Sequence, residues 1–558
     1  MASICRWGVA VRQREDISDT AEGTLRMGHV KTGSVQASPR AGHGRMGILD
    51  WAGIVASLLV LLVISYLRSR HLMFWGDEIV GWTMLRENDL GRFYRSWSNG
   101  ADSSGLFYNF LGRAWLKVFG ATELAARMFT AVGLWVSLAL TWAAARRHYS
   151  SAVVSFCVPF AFVSNEAVIF QLSNARTYGL FMAAAAAVAY MFLSARPGVP
   201  LTPRLLLSTA LAHAFLIGSH VLGVVYSGLF VAGLIVQDLW YRKLRWKLYA
   251  SALCGWVTLF WVWRNLRANV DIGKPYFWTE RPLLSDLPLG MAGYGTPTLV
   301  LCCVLLAAAY GAHLARKAMN VQEDLLPSSR TPLYFLIGTL LSASIIFFMK
   351  SLVGNSVFVD RYLLPTLVGS ALLLCDLTSR FLALMGKPRI AGGRVVLAVL
   401  LLAAFCFRSR PRDNADNNYT TALVRKIPVG IPAVITDVNI FAELVHYQNE
   451  HAKLETEIDW PFTLDMSHGP RDVTSANMLS IWKKTGYYSD QILSASQVLS
   501  QPEFVVVSRE HFSLWFDERI RNNQQFEVTD LGKVEHSVPL HVWLVRREPP
   551  VLGKPHAP

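Results

Sequence analysis

Two adjacent carboxylates, Asp77 and Glu78, close the run Phe74-Trp75-Gly76-Asp77-Glu78 directly after an apolar stretch. A carboxylate held among aromatics at a low-dielectric surface can have its proton affinity tuned by burial and act as a general base. The plainer alternative is a solvated pair at a helix start, where the dipole favours acids. A second constellation, Gln171-Leu172-Ser173-Asn174-Ala175-Arg176-Thr177-Tyr178, joins two apolar stretches, with Glu166 just before it. Ionisable groups at membrane depth are candidates for function. A Glu166–Arg176 structural pair, or Arg176 snorkelling to headgroups, is the competing explanation. The third is Gly218-Ser219-His220-Val221-Leu222-Gly223, where His220 serves either as a ligand contact or as packing. The fourth, Val359-Asp360-Arg361-Tyr362-Leu363-Leu364-Pro365, offers a guanidinium whose fork matches phosphate. Its alternative is an Arg/Tyr interfacial anchor.

These residues need elements to hold them, and the chain supplies apolar runs near the roughly 20 residues a bilayer demands. Spans are expected at 51–67, 124–145, 151–170, 176–194, 204–218, 221–239, 248–263, 296–315, 332–349, 361–380 and 392–407, about eleven in all. Alternate loops concentrate Lys and Arg, as in Arg146 and Arg147, or Arg242, Lys243, Arg245 and Lys247. The positive-inside rule puts these loops, and the N-terminus, in the cytoplasm. All four constellations then share the outer face with the C-terminal third. Arg68 and Arg70, directly after the first span, sit on the wrong side of that rule.

Three outer segments are long. Residues 68–123 include Leu106, Phe107, Phe110, Leu111 and Trp115 with Arg113 and Lys117 between them, an interfacial amphipathic pattern. Residues 264–295 begin with Arg264 and add Arg267 and several aromatics. Residues 408–558 alternate strand-like runs (432–438, 504–508, 541–545) with helical ones (440–448, 511–520), which predicts a soluble α/β domain.

Composition agrees with this plan. Of 558 residues, 53% are hydrophobic and only 16% charged, against about 25% charged in soluble domains. The net charge of +14 is accounted for by cytoplasmic loops beside anionic lipid, which argues against nucleic acid as a partner. The seven cysteines show no metal-ligand spacing. Residues 1–50 are polar and read as a disordered cytoplasmic tail, and the first span has no cleavage site after it, so it is a retained anchor.

In their order and sidedness these features resemble the GT-C superfamily of integral-membrane glycosyltransferases. Within it, the chain is similar to bacterial relatives of protein O-mannosyltransferases and of the enzymes that add aminoarabinose to lipid A. Those families carry an acidic pair in the first outer loop, matched by Asp77 and Glu78. Next come an amphipathic helix and a segment like Glu123-Leu124-Ala125-Ala126-Arg127-Met128, then Glu-Ala-Arg-x-Tyr, a His near a Gly, and an Arg-Tyr-Leu-Leu-Pro run. The resemblance spans residues 50–407 and has one departure: Asn174 stands where related chains have Glu. An amide cannot replace a carboxylate as a base or charged ligand, so metal dependence stays open. A divalent cation is the one cofactor the pattern admits.

The resemblance implies a polytopic α-helical GT-C-like domain over 51–407, catalytic outer loops at 68–123 and 264–295, and a periplasmic domain at 408–558. It further implies a hexosyl- or pentosyltransferase of the bacterial inner membrane. Such an enzyme takes a sugar from a polyprenyl-phosphate carrier and gives it to an envelope glycan, lipid or protein. Asp77 and Glu78 are then the catalytic pair, Asp77 as the base and Glu78 positioning acceptor or sugar. Arg361, Arg176 and Tyr362 would hold the donor phosphate, with Glu166, Asn174, Tyr178, His220 and Arg264 as further substrate contacts. Two other classes compete. A transporter or flippase would place charges at the bilayer midplane and show repeats; the sequence shows no clear repeat, and its candidate charges cluster at one face. A non-catalytic membrane scaffold is the other.

Overall fold

The computed structural model describes residues 48–70, 72–273, 279–318, 330–384, 415–449, 461–464, 473–509, 514–535 and 539–547. The polar tail lies outside this set up to residue 47, as does the span expected at 392–407.

The first part is helical throughout. Its elements are α1 (Ile48–Ser69), α2 (Gly76–Arg86), α3 (Leu90–Ser98), α4 (Leu106–Phe119), α5 (Glu123–Ala145), α6 (Ser151–Val163), α7 (Glu166–Gln171) and α8 (Tyr178–Ser194). There follow α9 (Pro203–Ser219), α10 (Gly223–Trp240), α11 (Trp246–Cys254), α12 (Leu259–Gly273), α13 (Asp286–Met291), α14 (Thr296–Ala318), α15 (Thr331–Val353) and α16 (Thr366–Leu384). Local signals set many starts. Thr122 accepts the Ala125 N–H at the head of α5, and Thr202 followed by Pro203 opens α9. Arg68 falls in the last turn of α1, where a cation meets the negative end of the helix dipole. That gives one of the two misplaced arginines a local purpose.

Five helices are long and apolar enough to cross a membrane: Trp51–Ser69, Glu123–Ala145, Gly223–Trp240, Thr331–Val353 and Thr366–Ala383. Shorter apolar helices cover Ser151–Val163, Tyr178–Ser194 and Thr296–Gly311. The chain is a multi-pass membrane protein, with a bundle less regular than the sequence suggests. The run 151–170 breaks after Val163, because Asn165 caps α7 by accepting the Val168 N–H at 2.9 Å and donates to the Gly293 carbonyl at 2.8 Å. The run 248–263 is interrupted by a 3₁₀ turn at Gly255–Thr258 and continues as α12 well past its expected end.

At the α5–α8 crossing, Gly133 and Gly179 let the backbones touch. A Cβ at Gly179 would collide with the Thr130 carbonyl, and one at Gly133 with the Gly179 backbone. The close approach also lets Thr130 Oγ1 donate to the Arg176 carbonyl at 2.7 Å, fixing the turn that carries Arg176.

The C-terminal part holds α17 (Ala415–Lys426), α18 (Val438–Asn449), α19 (Val473–Thr485) and a six-stranded sheet. The strands are β1 (Ala433–Ile435), β2 (Pro461–Leu464), β3 (Ile492–Leu493), β4 (Glu503–Arg509), β5 (Phe526–Val534) and β6 (Leu540–Arg547), in the order β3-β2-β1-β4-β6-β5. One half is parallel; β6 runs antiparallel to both β4 and β5. Continuous apolar runs such as Phe504–Val507 are buried, as a sheet covered on both faces requires. Helix α18 lies on α2: Glu443 accepts the Gly76 N–H at 3.0 Å, and Tyr447 bonds the Phe74 backbone. A side chain at residue 76 would overlap Asn439, so glycine is required there.

Candidate active site

Helix α2 starts at Gly76 and puts both carboxylates of the acidic pair in its first turn, at the positive end of the dipole. From there they diverge. Glu78 is 1% exposed and grips Arg127, itself 1% exposed. Glu78 Oε1 also accepts the Ala175 N–H at 2.6 Å. Arg127 in turn donates to the carbonyls of Ser69, Leu72 and Met73. Glu78 therefore ties α2, α5, the end of α1 and the Asn174–Arg176 turn together. Asp77 keeps its side chain one-third exposed.

Arg176 is the hub on the other side of Asp77. It donates to the Asp77 carbonyl at 2.6 Å, stands 3.9 Å from the Asp77 carboxylate, and reaches Asp102 at 3.4 Å. Its carboxylate partners are thus Asp77 and Asp102, not the Glu166 considered from sequence. Glu166 is exposed on the first turn of α7. Asn174 is buried and accepts the Trp75 indole N–H at 3.2 Å, which anchors the loop leading into Asp77.

Arg361 and Tyr362 sit on a short 3₁₀ turn before α16. The Arg361 guanidinium lies over the rings of Tyr178 (5.9 Å) and Tyr362 (5.6 Å), within electrostatic range of Asp77 and Arg176. Tyr178, His220 and Tyr362 form a ring cluster, with His220 5.4 Å from Tyr178 and 5.8 Å from Tyr362. Burial, with Arg176 and Arg361 beside it, holds the His220 pKa down to about 3, so the imidazole is neutral. Its Nδ1 accepts the Leu222 N–H at 3.1 Å, so the proton is on Nε2. Arg264 stays out of the cluster, exposed on α12 and bonded to Asn99 at 3.1 Å.

Three buried polar atoms here lack a hydrogen-bond partner among the described residues: Asp102 Oδ2, Arg176 Nε and His220 Nε2. Buried groups of this kind are normally satisfied, so their grouping points to a binding site. Asp102 and Arg127 are the residues sequence reasoning missed. Asp102 stands among Gly, Ser and Ala in a loop; its one signal is an isolated acid in the same outer segment as Asp77. Arg127 stood in a noted segment but had no visible partner.

The donor set does not fit a metal. Asp77, Glu78 and Asp102 each face an arginine, and among the described residues no three His, Cys, Asp or Glu side chains group as ligands. What the cluster fits is an oxyanion held by Arg361 and Arg176 beside the one-third-exposed Asp77 carboxylate.

No protein-family model and no curated protein matches the chain. Two crystal structures of ArnT from Cupriavidus metallidurans are similar to it. One, bound to undecaprenyl phosphate, has a TM-score of 0.55 at 12% identity, covering 89% of this chain and 98% of that chain. The other, in the apo state, has a TM-score of 0.57 at 12% identity, with the same coverage. At that identity the likeness is one of fold, and the chain has the GT-C fold.

Proposed function

We propose that this protein is a glycosyltransferase that moves a hexose or pentose from a polyprenyl-phosphate carrier to an envelope glycan, glycolipid or protein. The observation that carries it is the convergence of Asp77, Arg176 and Arg361, drawn from three distant segments, into one cluster. The similar ArnT structure holds undecaprenyl phosphate, which is the kind of carrier such a cluster suits. The proposed setting is the bacterial inner membrane, with the N-terminus cytoplasmic and residues 408–558 periplasmic.

In this scheme an acceptor hydroxyl attacks the anomeric carbon from the face opposite the phosphate. The new C–O bond forms as the sugar–phosphate C–O bond breaks. Asp77 takes the hydroxyl proton, and the electron pair leaves on the lipid phosphate. Positioned general bases are worth about 10²–10⁴ in rate. Arg361 meets the charge growing on the phosphate, aided by Arg176, whose orientation is fixed by Asp102 and the Asp77 carbonyl. The His220 Nε2–H and Tyr362 offer neutral contacts to phosphate or sugar. Glu78 positions α2 rather than touching substrate. The test is mass spectrometry of envelope glycolipids and glycans from a deletion strain and an Asp77→Asn strain. Loss of the same sugar in both supports the reading; unchanged envelopes in both oppose it.

A further inference from the structure

The basic loops of the bundle treat their cations unequally. Arg146 donates to the Tyr149 carbonyl at 2.6 Å, and Arg147 donates to Ser194 Oγ at 2.6 Å and lies over the Tyr190 ring. Arg330 and Arg380 both pair with Asp376. The turn between α10 and α11 differs. Asp238 is the only acid between Glu166 and Asp271. It is buried and already taken, by Arg245 at 2.6 Å and by the Tyr249 hydroxyl at 2.5 Å. Arg242, Lys243 and Lys247 are exposed, and their side chains make no hydrogen bond or ion pair among the described residues. Arg204, in the first turn of α9, is exposed in the same way. Ser251 of α11 donates to the Leu206 carbonyl of α9, so the starts of these two helices lie side by side.

The shape of the turn keeps this charge in place. The Lys243 N–H donates to the Asp238 carbonyl at 2.9 Å and the Arg242 N–H to the Leu239 carbonyl at 3.1 Å. This is the closing pattern of a helix end whose left-handed position is usually glycine. Here Arg242 fills it, at φ 53. An L residue is strained in that conformation, and strain of this kind collects at working positions. Trp240 and Trp246 bracket the turn and are 71% and 70% exposed. Amphipathic rings so placed at the end of a membrane-crossing helix sit at headgroup level. Four unpaired cations therefore stand at headgroup depth, with the one nearby carboxylate neutralised.

We propose that the α10–α11 turn, with the first turn of α9, is a docking site for the phosphate headgroup of an anionic membrane phospholipid. Arg204, Arg242, Lys243 and Lys247 meet the phosphate, and Trp240 and Trp246 pack on the glycerol backbone. The site is separate from the Asp77 cluster and does not depend on the glycosyl-transfer reading.

The test is native mass spectrometry of the full-length protein in detergent, titrated with phosphatidylglycerol or with zwitterionic phosphatidylcholine. Phosphatidylglycerol should bind saturably and more tightly, by about fivefold for each cation engaged. Arg242→Gln/Lys247→Gln should weaken it by about fivefold per cation removed. Arg147→Gln/Arg196→Gln removes the same charge from a neighbouring basic loop and should leave binding nearly unchanged. Arg242→Gly should weaken binding while keeping or raising the thermal midpoint, because glycine relieves the left-handed backbone. Those opposite signs distinguish a ligand contact from a structural role. Absence of saturable binding, equal binding of the two lipids, equal losses in the two double variants, or full affinity in Arg242→Gly would each overturn the proposal.

Discussion

Arg127 and Glu78 hold each other through two buried contacts, Nε to Oε1 at 2.9 Å and a terminal nitrogen to Oε2 at 2.7 Å. This pair divides the adjacent acids into separate tasks. Glu78 is committed to the framework, and Asp77 is left one-third exposed to meet a substrate. Removing one member of a buried pair leaves the other charged without compensation, at about 3–5 kcal/mol. Arg127→Ala and Glu78→Ala should each lower the thermal midpoint of the purified protein sharply. The double variant Glu78→Leu/Arg127→Met should recover part of the loss. Single variants as stable as wild type would refute the structural role.

The α5–α8 crossing sets the depth of the Arg176 turn. Gly179→Val should lower stability by at least the roughly 1–3 kcal/mol of ordinary overpacking, because backbone atoms cannot move aside like side chains. Thermal unfolding in detergent checks this. A neutral effect would mean the helices sit further apart.

Arg361 should act on the donor. Arg361→Ala is expected to raise the apparent KM for a polyprenyl-phosphate sugar by about tenfold or more, as loss of a charged contact implies. Arg361→Lys should recover only part, lacking the fork. Steady-state kinetics against donor concentration reads this. An unchanged KM would remove Arg361 from the phosphate site.

Glu443, on the α18 face that touches Gly76, should make domain docking pH-dependent. Burial raises its pKa to about 7; Asp437 adds to this, while Tyr419, the Gly76 N–H and Arg509 oppose it. The folded state thus binds the proton more tightly than the unfolded chain. That stabilisation is full below about pH 4.5, the usual glutamate value, and is lost as pH rises through about 7. Thermal midpoints of wild type minus Glu443→Gln, measured from pH 4.5 to 8, should fall with rising pH. A flat difference would contradict this.

The sequence was most informative where the chain crosses and returns quickly. Short turns keep Arg176, His220 and Arg361 at one end of the bundle, so charge bias in the opposite loops groups them without any knowledge of packing. It was silent on partners separated by long stretches. Nothing near Glu78 announces Arg127, and nothing near Arg176 announces Asp102. The contact of Glu443 with Gly76 joins segments hundreds of residues apart with no shared period. Helix regularity was overestimated for a local reason: hydropathy windows average across Asn165 and Gly255, where a cap and a 3₁₀ turn interrupt the run.

In the proposed reaction Asp77 accepts the acceptor's proton beside Arg176 and Arg361. Transfer from a polyprenyl-phosphate sugar by purified Asp77→Asn protein, with its thermal midpoint matched to wild type, tests it most directly. The variant is expected to transfer sugar about 10²–10⁴ more slowly with donor binding retained. Transfer at the wild-type rate by the folded variant would contradict it.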